Sequence, residues 1–503
     1  MRRLLVALTA TALTIAGTGV PASATPALRA APAPGGPGIG DVYYPDYGNS
    51  GYDVSHYNIR LRYTPSTDQL TGTTTILATA TQDLSQFNLD FVLDVSSIQV
   101  NNRPATFARE GDHELVVTPA RTVADGGALT IVVQYSGVPS TKVAAGYTAW
   151  IKTPDGAMAI GEPEIAWWWY PSNDHPLDKA TFDVSVSVPD GVEAISNGSM
   201  PRPPVRETLG YTRWSWRSLK PQATYLTFLT VGQYDVTTDT TEGGQPVYNA
   251  YSQLLTPDFR AAAEASVERT TEITEWESTV FGPWPFEARG GVVAPPDTLG
   301  FALENQTRPN YAAGFFRRGA NTSVVVHENA HQWFGDSVSV AEWQHIWLNE
   351  GFASYAEWLW SEKNDEGTAQ EIFDYLYATS PDDAPIWTVA PADPGVAELF
   401  GDAVYDRGAM TLHQLRLAVG DDDFYSILQT WTAEHRYGNA TTAEFIALAE
   451  KISGEDLSAL FQAWLFTPAK PVLPGAAALA ASAPVAPKSW AKISETHALL
   501  HKN

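Results

Sequence analysis

The sequence predicts an α+β chain of more than one domain, an antiparallel β-sandwich followed by a mainly helical domain. Three observations lead there. The 503 residues exceed what one hydrophobic core ordinarily serves. Through the first half, apolar and polar residues alternate with the period of strands. In the second half the apolar spacing lengthens to that of helices.

Taken in order, Arg2 and Arg3 precede an apolar run from Leu4 to Ala16, and Ala22-Ser23-Ala24 supplies the small residues a signal peptidase reads. Residues 1–24 are therefore expected to be a signal peptide, and the protein to be secreted and extracellular. The run falls short of the roughly 20 apolar residues that a membrane span needs, and no later segment reaches that length. Residues 25–40 form a Pro/Gly/Ala linker with nothing to build a core, so folding is expected to begin near Asp41.

From there Tyr57, Ile59, Leu61 and Tyr63 share one face, as do Leu129, Ile131, Val133 and Tyr135, then Phe182, Val184, Val186 and Val188. Turn signals at Asp125-Gly126-Gly127 and Pro189-Asp190-Gly191 separate such runs, giving an antiparallel β domain over residues 41–235. The polar stretch Thr237 to Gly244 marks the expected boundary. Helical periodicity follows, as in Phe259 to Val280 and Asn349 to Lys363, and defines a second domain over residues 236–470. It closes near Trp464-Leu465-Phe466, before prolines 468, 471 and 474 and an Ala/Pro-rich tail, residues 471–503.

Composition narrows the function. The net charge of -26 arises from 57 acidic against 31 basic residues, with no basic stripe, so nucleic acid and anionic membrane are poor partners. Seventeen Trp, 21 Tyr and 19 Phe are ample for packed cores. Without any cysteine, the chain has no disulfide, thiolate ligand or cysteine nucleophile, and a metal would have to be held by His and carboxylate.

His327-Glu328-Asn329-Ala330-His331 fits H-E-x-x-H. On a helix this places both imidazoles one turn apart on one face, where they can share a metal, with Glu328 beside them. Glu350 lies 18 residues beyond His331, counting those between, at the start of a second helical run. Gly335, followed by Asp336 and Ser337, can end the first helix and let the chain return. His327, His331 and Glu350 then give three zinc ligands with a fourth position open, the pattern of a catalytic site.

The segment His327 to Gly335 with Trp347-Leu348-Asn349-Glu350-Gly351-Phe352-Ala353 closely resembles the aminopeptidase N family of gluzincins. The spacing matters, because thermolysin-like enzymes place their Glu one residue farther on. Phe301-Ala302-Leu303-Glu304-Asn305 is similar to the family's G-A-M-E-N segment, with Phe301 where Gly is usual. Gly161-Glu162-Pro163-Glu164, leading to Lys179-Ala180-Thr181-Phe182, is similar to its other amine-binding segment, with Trp167 where many members carry Arg. Val404-Tyr405-Asp406-Arg407-Gly408-Ala409 resembles V-Y-x-K-G-A.

The resemblance, which runs from about residue 50 to residue 470, implies an N-terminal β saddle and a thermolysin-like catalytic domain with one zinc ion. It also implies Glu328 as general base, Tyr405 as a transition-state hydroxyl, and Glu304 and Glu162 as anchors for the free amine of a peptide, with Glu164 as a rival to Glu162. The expected activity is release of N-terminal residues from peptides. Rival readings are a secreted endopeptidase, an epoxide hydrolase resembling the leukotriene hydrolase, and an inactive peptide-binding module. Asp336 is read as either a partner of a ligand histidine or a turn residue. His345 and His413 are read as packing residues, and Trp167-Trp168-Trp169 as either core or pocket lining.

Overall fold

The computed structural model describes residues 31–473 and 484–500. The expected signal peptide, the first part of the linker and part of the tail lie outside these.

Tyr52–Thr64, Gln69–Ala80 and Ala128–Gly137 form the antiparallel centre of an eight-stranded sheet, and their alternating apolar faces are buried as expected. One expectation fails here. Ala180–Pro189 runs parallel to Tyr52–Thr64, pairing Phe182 with Tyr57 and Val184 with Ile59, so the sheet is mixed. Alternation has a period of two in either direction, which is why it cannot report strand polarity. Tyr57 stacks on Phe182 at 5.0 Å between ring centres, joining the two strands on the core side.

Two smaller sheets of four strands complete this β-rich part. Ala33–Pro34, inside the expected linker, is an edge strand of one of them, with Ala33 N–H donating to Asp83 O at 2.8 Å. Order therefore precedes Asp41, and proline is tolerated because an edge leaves one side of the ladder unused.

The polar stretch at 237–244, where the boundary is expected, covers the end of a strand and the turn after it. Tyr234–Thr240 is the edge strand of a hairpin with Pro246–Ser252, and its side chains are polar because most face solvent. Pro246–Ser252 then pairs in parallel with Arg289–Val293, within a five-stranded sheet.

The helices follow: α1 Pro257–Val267, α2 Thr270–Phe281, α3 Thr322–Ala330, α4 Trp347–Lys363, α5 Ala369–Thr379, α6 Gly408–Val419, α7 Asp421–Glu434 and α8 Thr442–Ser453. The helical run expected over 259–280 is two helices, broken near residues 268–269. The expected tail contributes another, α9 Trp490–Leu500, whose Ile493, Thr496, His497 and Leu500 are buried. Among the described residues no helix is long and apolar enough to cross a membrane.

Candidate metal and substrate site

Helix α3 is short and buried along almost its whole length. The Asn321 side chain caps it by accepting from Ser323 N–H at 3.1 Å, satisfying a donor at the helix start. At its other end Gly335 turns the chain at φ 132°, and Phe334 O accepts from His331 Nδ1 at 3.0 Å. That bond puts the proton of His331 on Nδ1 and leaves Nε2 free to ligate.

Glu350 sits in the first turn of α4. Its Oε2 lies 3.2 Å from His327 Nε2 and 3.3 Å from His331 Nε2, and all three residues are buried. A tetrahedral zinc with bonds of about 2.1 Å holds neighbouring ligand atoms about 3.4 Å apart. The two spacings from Glu350 thus already match the edge of such a tetrahedron, and two neutral imidazoles with one carboxylate suit zinc chemically. Burial by itself would raise the Glu350 carboxyl, but the two imidazoles against it hold it at about 2, so it is ionised and ready to ligate.

Glu328 is buried beside the triad, and its Oε1 has no hydrogen-bond partner among the described residues. Burial pushes its pKa up to about 8. A divalent cation beside it draws that value back toward neutrality, where a general base is most effective. A donor oxygen from each of Glu304 and Glu328 and a ring nitrogen of His331 lie within 4.8 Å of one another.

Glu304 is held from two sides. Tyr225 O–H donates to its carboxylate at 3.1 Å, and Gln332 Nε2, one residue past His331, donates to its backbone carbonyl at 2.6 Å. Burial raises the Glu304 carboxyl, and burial together with the neighbouring Glu304 and Glu350 raises Glu162 well above the ordinary range. Between the two candidates for the second anchor, Glu162 faces this carboxylate group. Glu164 instead accepts a hydrogen bond from Tyr147.

Glu162 and Glu164 line a cavity of about 390 Å³ whose other walls include Tyr44, Ile160, Phe301 and Phe400. The Phe301 departure is therefore a wall residue. The other departure, Trp167, is fully buried in a short 3-10 turn and stacks on His113 at 4.1 Å between ring centres. The three tryptophans are core, not pocket.

Tyr405 lies on a single π-type turn, Ala403–Arg407, at the start of α6, a distortion frequent at functional sites. Its ring stacks on His327 at 5.8 Å and 15°. Burial and the surrounding glutamates raise its hydroxyl well above the usual tyrosine range, so it remains a donor. Arg407 anchors the turn outside the site, donating to the carbonyls of Trp387, Val389, Ala463 and Thr467.

The β-rich part also supports the site. Lys179 Nζ donates to Asp336 O, Ser337 O and Gly438 O, and Asp41 Oδ2 accepts from Trp343 N–H at 2.8 Å, just ahead of α4. Asp336 is a turn residue in function: its backbone takes part, while His331 is oriented by Phe334 O. His345 and His413 are packing residues, with ring nitrogens on Thr442, and on Tyr355 and Gln370.

Tyr225, Glu357 and His497 also support the site, without a motif in the sequence that marks them. Glu357 Oε1 accepts from His327 Nδ1 at 2.9 Å. A signal for it existed, since seven residues after Glu350 is two helical turns along the same face. Tyr225 and His497 carry no local signal.

A family model described as the Peptidase M1 N-terminal domain matches residues 54–226, and one described as the Peptidase family M1 domain matches residues 308–464. Aminopeptidase M1 of Arabidopsis thaliana is 30% identical over 340 residues, 63% of this chain and 37% of that protein. The probable aminopeptidase 2 of Sulfurisphaera tokodaii is 29% identical over 60% of this chain and 40% of its own length. The chain thus spans well under half of these curated relatives. Among solved structures, a mutant two-domain M1 zinc metallopeptidase bound to L-arginine has a TM-score of 0.77 at 28% identity, covering 87% of this chain and 99% of that one. A mutant M1 zinc metallopeptidase from Deinococcus radiodurans bound to a Tyr-Ser-Ala substrate has a TM-score of 0.74 at 27% identity, covering 87% and 98%.

Proposed function

Because the chain belongs to the peptidase M1 family, we propose that it is a zinc-dependent aminopeptidase, cleaving the first peptide bond of peptides that carry a free N-terminus. The observation that carries this reading is the pair of carboxylates, buried Glu304 and partly buried Glu162, beside the His327, His331 and Glu350 triad. Nothing in an endopeptidase requires two such groups there.

Zinc held by the triad supplies Lewis-acid activation of a water molecule and of the carbonyl to be attacked. Glu328 accepts the proton released as the water adds to the carbonyl carbon, then delivers it to the amine as the C–N bond breaks. Its orphaned Oε1 supports that role. The Tyr405 hydroxyl donates to the oxyanion that develops. Glu304 and Glu162 bind the substrate ammonium, which fixes the scissile bond one residue inward. The first side chain enters the cavity beside Phe301, whose Tyr44, Ile160 and Phe400 walls favour an apolar residue.

Export belongs to the same proposal, supported by Arg2, Arg3, the apolar run and Ala22-Ser23-Ala24 at residues 1–24. Fluorogenic aminoacyl substrates, with free and acetylated N-termini and with and without a zinc chelator, test the activity. The free leucyl substrate should be cleaved and the acetylated one rejected by several orders of magnitude, because acetylation leaves buried carboxylates unpaired. Comparable cleavage of both sinks the exopeptidase reading, and cleavage that survives the chelator sinks the metal mechanism. N-terminal sequencing of the exported protein should begin at Thr25.

A further inference from the structure

We propose that helix α9, at the far C-terminal end of the described chain, is part of the zinc site, with His497 as the positioning residue that holds Glu357 against the zinc ligand His327. This rests on the zinc reading of the triad but on no particular substrate. Helix α9 lies beyond residues 308–464, to which the family model for the catalytic domain extends.

A ligating imidazole must present an unprotonated Nε2, so its Nδ1 must carry the proton and have somewhere to donate it. For His327 that acceptor is Glu357 Oε1 at 2.9 Å. The same oxygen accepts from His497 Nε2 at 2.9 Å, and His497 Nδ1 stands 2.8 Å from Asp406 Oδ1. Ser323 O–H donates to the other oxygen of Glu357. With a carboxylate on each ring nitrogen, His497 donates on both sides and is an imidazolium.

The charge balance explains why this histidine is needed. Glu357 is wholly buried, and a buried carboxylate without a cation is strongly unfavourable. Among the described residues its ion pairs are with His327 and His497 alone. When His327 ligates a metal as neutral imidazole, His497 is the cation left to keep Glu357 ionised. Ionised Glu357 in turn fixes the His327 tautomer and strengthens its basicity as a ligand.

The second arm of His497 extends the consequence. Asp406 follows Tyr405 on the π-type turn, so one imidazole ties the ligand helix to the turn that carries the candidate oxyanion donor. The helix is docked for this purpose at both ends. Thr496 Oγ1 accepts from Asn321 Nδ2 at 3.0 Å, the same asparagine that caps α3. Ser361 Oγ, near the end of α4, donates to Ser489 Oγ at 2.7 Å, and Trp490 packs edge-on against Tyr375 of α5.

The test is zinc affinity of the full-length protein, read by competition with dipicolinic acid without substrate, so its outcome is separate from that of the peptidase assay. His497→Ala should bind zinc about 10- to 100-fold more weakly, the range typical of groups that orient a metal-ligating histidine. Imidazole added at millimolar concentration should restore much of the affinity by filling the vacated site. Lys492→Ala, on the same helix, should bind zinc as the parent does. Where the alanine variant does not fold, His497→Gln, which keeps one donor, is measured by the same criterion. Zinc affinity within twofold of the parent in a folded His497 variant overturns the proposal. So does a loss that imidazole leaves unchanged, or an equal loss in Lys492→Ala.

Discussion

Gly351 and Gly408 face each other where α4 crosses α6, and replacing Gly351 by alanine tests how closely the site is tied to that crossing. A Cβ on Gly351 would stand 2.9 Å from Gly408 Cα and 3.0 Å from its carbonyl carbon. Carbon atoms rest at about 3.5–4.0 Å, so the backbones must part by about 0.5–1 Å. The obstacle is main chain and cannot swing aside. Nor can α6 retreat easily, because Arg407, immediately before it, is pinned by four carbonyls. The displacement therefore falls largely on Glu350, the residue preceding Gly351, and changes its reach to the two histidines. Overpacking of this kind costs about 1–3 kcal/mol, of which the better helix propensity of alanine returns about 1 kcal/mol. Catalysis is the more sensitive readout, since a misplacement of about 1 Å can cost about 100-fold. Urea unfolding and kcat on a free leucyl substrate, measured on the same Gly351→Ala preparation, separate the two effects. Full kcat together with parental stability would refute the claim that this contact sets the position of Glu350.

Two further perturbations probe other parts of the site. Tyr405→Phe should lower kcat by about 100- to 1000-fold with little change in KM, as expected for a donor that acts on the transition state; a rise in KM at unchanged kcat would instead make Tyr405 a ground-state contact. Glu164, pushed up to about 7 by burial despite the hydroxyls of Tyr147 and Tyr47, gives a stability signature. Its folded pKa exceeds the ordinary 4.5, so its contribution is fully present below pH 4.5 and is lost as pH rises through 7. The loss amounts to about 3 kcal/mol over that window, and Glu164→Gln should flatten the parental stability curve by that amount. Parallel curves for variant and parent would show that the carboxyl does not titrate there.

What the sequence made legible was local. His327, Glu328 and His331 depend on one helical turn, and Glu350 on a helix start whose residues are contiguous. The strand faces at Tyr57 to Tyr63 and Leu129 to Tyr135 depend on a period of two, and their burial follows it. What it hid was set by partners far along the chain. Ala33–Pro34 reads as linker because two residues have no period, yet it pairs with a strand some fifty residues away. The edge strand Tyr234–Thr240 is hidden in the polar stretch 237–244 because an edge strand and its turn are polar through exposure to water. His497 sits in the Ala/Pro-rich tail, and its role depends on Glu357 and Asp406, 140 and 91 positions away.

The electrostatics of the site explain why these distant contributions converge. Glu304 and Glu328 are buried, Glu162 is partly buried beside them, and all three are pushed upward, whereas Glu350 and Glu357 are held at about 2. The difference lies in the imidazoles that touch the last two. Glu350 and Glu357 each have imidazole nitrogens against them, from His327 and His331 and from His327 and His497, and both serve the metal. The rim carboxylates have none, apart from the field of the centre itself, and acquire full charge only when a cation arrives. A substrate ammonium is such a cation, and its binding at Glu162 and Glu304 should release protons from them. An acetylated terminus offers no charge to offset their burial. Selection for a free amine therefore resides in the unpaired state of the rim, and removing either carboxylate should weaken the free substrate far more than the blocked one.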